Sequence, residues 1–117
     1  MKKFLTTILL LTSFLLLACN SSNEEEYVDI KYREDSVDIS EPRWEYLDTS
    51  RSSFIGGAWY DDEEDYMIIE LSGIKYHYCS MPESTWRRFK SAESFGSDYN
   101  SYIRGEFDCR ENPFPSY

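Results

Sequence analysis

The run Tyr66-Met67-Ile68-Ile69-Glu70-Leu71-Ser72-Gly73-Ile74-Lys75-Tyr76-His77-Tyr78-Cys79 decides the fold. Tyr66 to Leu71 is dense in large apolar and β-branched side chains, and Ser72-Gly73 is a two-residue break suited to a tight hairpin. Ile74 to Cys79 then alternates. A strand has a period of two, so Met67, Ile69 and Leu71 share one face. In the next strand Ile74, Tyr76 and Tyr78 share a face, and Lys75, His77 and Cys79 share the other.

Upstream, Phe54 to Tyr60 reads as a further strand, with Gly56-Gly57 marking a bulge or close backbone approach. Asp61 to Asp65 reads as the connecting turn. Its carboxylates are consecutive rather than alternately spaced, which favours a solvated loop over a calcium loop. Downstream, Ser80-Met81-Pro82-Glu83 carries the signs of a helix start, with Ser80 as cap. Trp86, Phe89 and Ala92 form the apolar stripe of that helix, which Gly96 ends, and Arg87, Arg88 and Lys90 lie off it. Ser97 to Arg104 reads as a second short helix with Tyr99, Tyr102 and Ile103 inward and Gly105 as its stop. The expected class is α+β: a three-stranded antiparallel meander followed by one or two short helices packed on one face.

At the other end, Lys2 and Lys3 precede an apolar run from Phe4 to Leu17, then Ala18 and Cys19. The run is short for a membrane span, which needs about 20 residues, and its order of parts resembles a bacterial lipoprotein signal. That resemblance implies cleavage after residue 18, a diacylglycerol thioether on Cys19 and acylation of the new amine. Leu17 is bulkier than is usual at its place, and Asn20 after the cysteine leans towards the outer membrane. Residues 1–18 are thus expected to be a signal peptide and 19–43 a lipid-anchored acidic tether. The globular part is expected over 44–117. Asn20 to Ser50 holds ten acidic and three basic residues, a balance that favours a mostly disordered chain, with Tyr27–Ile30 and Val37–Ile39 as weak strand alternatives.

The formal charge of −10 becomes −12 once Lys2 and Lys3 are cleaved, and Arg51 to Tyr117 alone carries −5. Such a surface repels phosphates. With Cys19 lipidated, Cys79 and Cys109 remain as an even pair in a compartment where disulfides persist; they either bridge or pack unbonded.

Ser52-Ser53, Tyr60-Asp61, Gly73, Tyr76-His77-Tyr78, Met81-Pro82, Trp86, Phe89, Ala92, Ser94-Phe95-Gly96, Tyr99-Asn100, Ile103-Arg104 and Phe107 together resemble the KTSC domain. This small module is named for its place at the C-terminus of some lysyl-tRNA synthetases and also occurs as a stand-alone bacterial protein. The resemblance spans about residues 50 to 108 and departs from common members at Trp59, where glycine is usual, and at Cys79. It implies no established activity. An RNA-binding role would be suggested by the synthetase context.

No catalytic or metal set is read here. His77 is the sole histidine and is expected at the surface, without a ligand-spaced partner or a third group to orient a Cys79–His77 pair. No cofactor motif is present. RNA binding would use Tyr76 and Tyr78 as stacking platforms beside Lys75, Arg87, Arg88 and Arg104. The bland alternative places the tyrosines in the core beneath Trp86 and Phe89 and the arginines on a solvated helix face. The preferred expectation is a non-catalytic module held at the membrane through Cys19 in the cell envelope, recognising an envelope protein or cell-wall component through exposed Trp59 and its neighbours. A purely structural envelope domain is its competitor. Tyr27, Trp44 and Pro113-Phe114-Pro115 add to the surplus of aromatic and proline surface.

Overall fold

A computed structural model describes residues 24–117. The expected signal peptide and the Cys19 lipidation site lie outside the described residues. The class is α+β, as expected. Strands β1 (Tyr27–Val28) and β2 (Val37–Asp38) form a small antiparallel ribbon. Strands β3 (Glu45–Leu47), β4 (Ile55–Asp61), β5 (Tyr66–Leu71) and β6 (Ile74–Tyr78) form an antiparallel sheet in chain order. Helices α1 (Glu83–Lys90) and α2 (Phe95–Asp98) follow, and α2 runs on into a π-helical turn, Tyr99–Ile103.

The sheet therefore has four strands where three were expected. Glu45 explains the addition: its carboxylate accepts from the Trp86 indole at 3.0 Å and pairs with Lys90 at 2.6 Å, tying β3 to α1 across the sheet's end. The expected bulge is present between Ile55 and Gly57. Gly57 has φ +145°, and a Cβ there would come within 2.9 Å of the Trp59 ring, so glycine fits where a side chain would not.

One sheet face carries Ile55, Ala58, Tyr60, Met67 and Ile69 against Met81, Trp86, Phe89, Phe95, Tyr99 and Ile103. Tyr60 stacks on Trp86 with ring centroids 5.0 Å apart, and its hydroxyl donates to the Met81 carbonyl at 2.7 Å. That bond corrects the helix start. Ser80 adopts φ +53° and makes no cap; the buried Met81 follows, and α1 opens at Pro82 instead. Helix α1 also ends at Lys90 rather than near Gly96, which lies within α2. Tyr102 is exposed beneath the Arg88 guanidinium rather than inward.

The opposite face corrects the tether reading. Tyr66 and Ile68 are fully buried against Ile30, Val37, Ile39, Trp44 and Cys79. An unbroken apolar run such as Tyr66–Ile69 is the mark of a strand covered on both sides, and the segment before Pro42 is the second cover. Polar links hold it in place. Asp38 accepts from the Glu26 and Ser40 amides at 2.9 Å each, and the Trp44 indole donates to the Asp38 carbonyl at 2.9 Å. The Lys31 amide donates to the Lys75 carbonyl on β6 at 2.8 Å.

Candidate functional site

Strand β6 is a sheet edge. Two neighbours touch its free side: the Lys31 amide bonds the Lys75 carbonyl, and the Cys79 amide bonds the Phe107 carbonyl, each at 2.8 Å. By strand alternation the His77 amide and carbonyl point the same way, between those two contacts. A groove of about 730 Å³ runs along this edge. Tyr32, Tyr76, Tyr78 and Phe114 give it aromatic walls, and Glu106, Asp108 and Arg110 give it a charged rim.

The groove's far wall is covalently fixed. Cys79 and Cys109 form a disulfide with Cα atoms 4.9 Å apart, which resolves the two alternatives left by the sequence in favour of the bond. It pins the segment after the π-helical turn to the end of β6. His77 and both sulfurs lie within 4.8 Å of one another, but the bond withholds the thiolates that a metal ion would need. Asp108 and Arg110 pair with each other at 2.7 Å at the rim.

The side chains beneath the groove are held neutral. His77 is buried rather than at the surface, and its Nδ1 lies 2.7 Å from the Tyr66 hydroxyl. Burial and the nearby Arg33 guanidinium push the imidazole below its ordinary pKa. Burial pushes the Tyr66 phenol up to about 12, against the pull of Arg33, whose Nη1 donates to its oxygen at 3.1 Å. Tyr78 is half-buried, and its hydroxyl shares a short hydrogen bond with that of Tyr99; burial and then this bond raise its pKa. Such groups present aromatic faces and hydrogen-bonding sites rather than charge.

The residues expected to bind are only partly brought together. Tyr76 and Tyr78 wall the main groove and also a second, shallower one of about 450 Å³ that includes Arg104. Both tyrosines also pack against the helix-side core, so the core reading and the groove reading describe two sides of the same rings. Arg87 pairs with Glu83 at 3.1 Å, and Arg88 pairs with Asp98 at 3.2 Å; neither lines a groove. Trp59 is half-buried on the outer core, tilted against Tyr46 at 5.3 Å with Lys75 over it, and stands outside both grooves. That corrects its reading as an exposed anchor. Trp44 is buried, whereas Tyr27 is exposed. Tyr32 was missed, and Phe114 was noted only as surplus aromatic surface, not as a wall of this groove. Tyr32 is 77% exposed at φ +71°, and no period marks a residue that reaches the site through a turn.

No curated protein and no solved structure matches this chain. A family model described as the KTSC domain matches residues 51–107, which run from the approach to β4 through the π-helical turn to Phe107. Strands β1 to β3, Cys109 and the segment that brings Phe114 to the groove lie outside the match. The ordered residues of strand, hairpin and helix coincide with the matched span, and over residues 51–107 this chain belongs to the KTSC domain family.

Proposed function

We propose that this protein is a non-catalytic binding module of the bacterial envelope, held to a membrane by lipid on Cys19, whose β6-edge groove receives an extended segment of an envelope protein. The observation that carries the reading is the open edge at His77, flanked by Tyr76, Tyr78, Tyr32 and Phe114. An extended peptide pairs with such an edge through its backbone and seats side chains against the rings. Aromatic walls on a disulfide-fixed frame lose little side-chain entropy on binding. A cell-wall glycan would stack on the same rings but would leave the strand edge unused, so the polypeptide reading is the stronger.

Crosslinking in intact envelopes tests this. Wild type and Trp59→Ala should capture the same partner, and Tyr76→Ala should lose most of it. Capture that depends on Trp59 and ignores Tyr76 would overturn the groove assignment. Capture of nothing by any variant would leave the purely structural domain as the better account. The RNA reading keeps only Tyr76, Tyr78 and Arg104 together in the shallower groove, because Arg87 and Arg88 are engaged elsewhere.

A further inference from the structure

Beside the groove, on the outer face of the sheet, the segment Pro113–Tyr117 crosses the body without secondary structure. Among the described residues its backbone makes no hydrogen bond to the rest of the protein. Two side chains hold it. The Tyr117 hydroxyl donates to Oδ2 of Asp61 at 2.8 Å, and Asp61 is itself only 1% exposed. The Tyr117 ring meets the edge of Trp44 at 5.3 Å, with the Arg43 guanidinium 4.5 Å from its centroid. Phe114 lies with its centroid 4.6 Å from the Arg33 guanidinium. Arg33 has no exposed side-chain surface and is bound to Asp35 and the Tyr66 hydroxyl.

We propose that this face is a recognition site for an extended peptide carrying two aromatic side chains three residues apart, the second a tyrosine, and that Pro113–Tyr117 fills it in cis. Three features favour a site over mere packing. The contacts are those by which a binding pocket reads a phenol: a carboxylate acceptor, an aromatic edge and a cation over the ring. The acceptor was built independently of the segment, since Oδ1 of Asp61 is committed to the Glu63 amide at 3.0 Å. The filled site is also continuous with the open groove, because Phe114 walls one and covers Arg33 in the other. A segment tied by side chains alone exchanges readily for a competing peptide in trans, and the effective concentration of the tethered copy sets the threshold. The inference does not depend on lipid anchoring or on the edge-groove reading.

The test uses a chain lacking residues 113–117 and a synthetic peptide copying Asn112–Tyr117. Saturable binding is expected, with NMR shifts centred on Trp44, Asp61 and Tyr66. A peptide with phenylalanine in place of its tyrosine should bind roughly tenfold more weakly, as loss of a hydrogen bond to a charged acceptor predicts. Intact protein should bind at least about tenfold more weakly than the shortened chain, because its site is filled. If the shortened chain fails to fold, the double variant Phe114→Ala, Tyr117→Ala replaces it in the same assay. A folded variant that ignores the peptide at ~1 mM overturns the proposal, and so does equal binding of the two peptides. Neither result bears on capture through Tyr76.

Discussion

His77 sits where the groove meets the outer core, with its imidazole against the rings of Tyr66 and Phe114. Burial and Arg33 hold its pKa below that of an unfolded chain, so the unfolded state takes up the proton first as pH falls. The folded state therefore loses stability from about pH 6.5 downward, through the window between the unfolded and the folded pKa. Wild-type Tm should fall across that window. In His77→Gln the slope should vanish, leaving only the loss at lower pH, where the Lys90-bound Glu45 and the Ser40-bound Asp38 titrate. A slope that persists unchanged would remove His77 as its source. Ile68 is fully buried on the face covered by Ile30, Val37 and Ile39, and Ile68→Ala should cost about 2–5 kcal/mol in denaturant unfolding. Under the tether reading Ile68 would face water and the cost would be within about 0.5 kcal/mol. The sequence placed His77 and Cys79 on one face correctly. It misjudged the exposure of His77 because nothing in β6 announces that a distant, acid-rich segment will cover that face.

The hairpin and the disulfide are the elements that aim the site. Ser72 and Gly73 both adopt positive φ, +51° and +86°, the pattern of the mirror-image turn that matches the twist of β5 and β6. Gly73→Ala should cost roughly 1–2 kcal/mol, because alanine must enter the left-handed region. Ser72→Asn should be neutral or stabilise by up to about 0.5 kcal/mol, since asparagine tolerates that region better. If Gly73→Ala were harmless in thermal unfolding, the turn type would be wrong. The disulfide closes a separation of 30 residues that contains both helices and the π-helical turn. Constraint of the unfolded chain across that span contributes about 3–4 kcal/mol, so a Cys79→Ser, Cys109→Ser pair should lose roughly that much by urea titration. These elements were readable where the information is local: the bounds of β5, the two-residue turn and the apolar stripe of α1 all follow from spacing. Strand β3 was not, and the β1–β2 ribbon was read only as a weak alternative to disorder, at Tyr27–Ile30 and Val37–Ile39. Each is two or three residues long and is stabilised by partners far away in sequence, Trp86 and Lys90 for β3 and the face of β5 for the ribbon.

For the molecule as a whole, charge and the proposed lipid anchor bear on which partners are physically available. The chain carries −10 formally, and residues 51–117 carry −5, so a polyanion meets repulsion on approach and only Arg104 among the expected cations stands in a groove. A phosphate-binding surface would show affinity falling with salt at a log–log slope of about −0.7 per contact on single-stranded RNA. We expect no retention of RNA even at low salt, and a clear negative slope would return Tyr76, Tyr78 and Arg104 to the front. The anchor is the independent half of the functional proposal. Each acyl chain contributes about 0.8 kcal/mol per buried methylene, and a single chain binds only reversibly, whereas the diacylglycerol and amide chains proposed for Cys19 would hold the protein stably at a bilayer. Processing would also remove two lysines and raise the negative charge to −12, so attachment would then owe nothing to anionic headgroups. Membrane fractions washed in high salt should therefore retain the wild type completely, because acyl insertion is indifferent to ionic strength and a polybasic contact is not. Cys19→Ser should leave that fraction or accumulate unprocessed, and mass analysis of the wild-type peptide beginning at residue 19 should show the added lipid. A protein that salt releases, or an unmodified Cys19 peptide, would place the module elsewhere and leave the groove to be explained without a membrane.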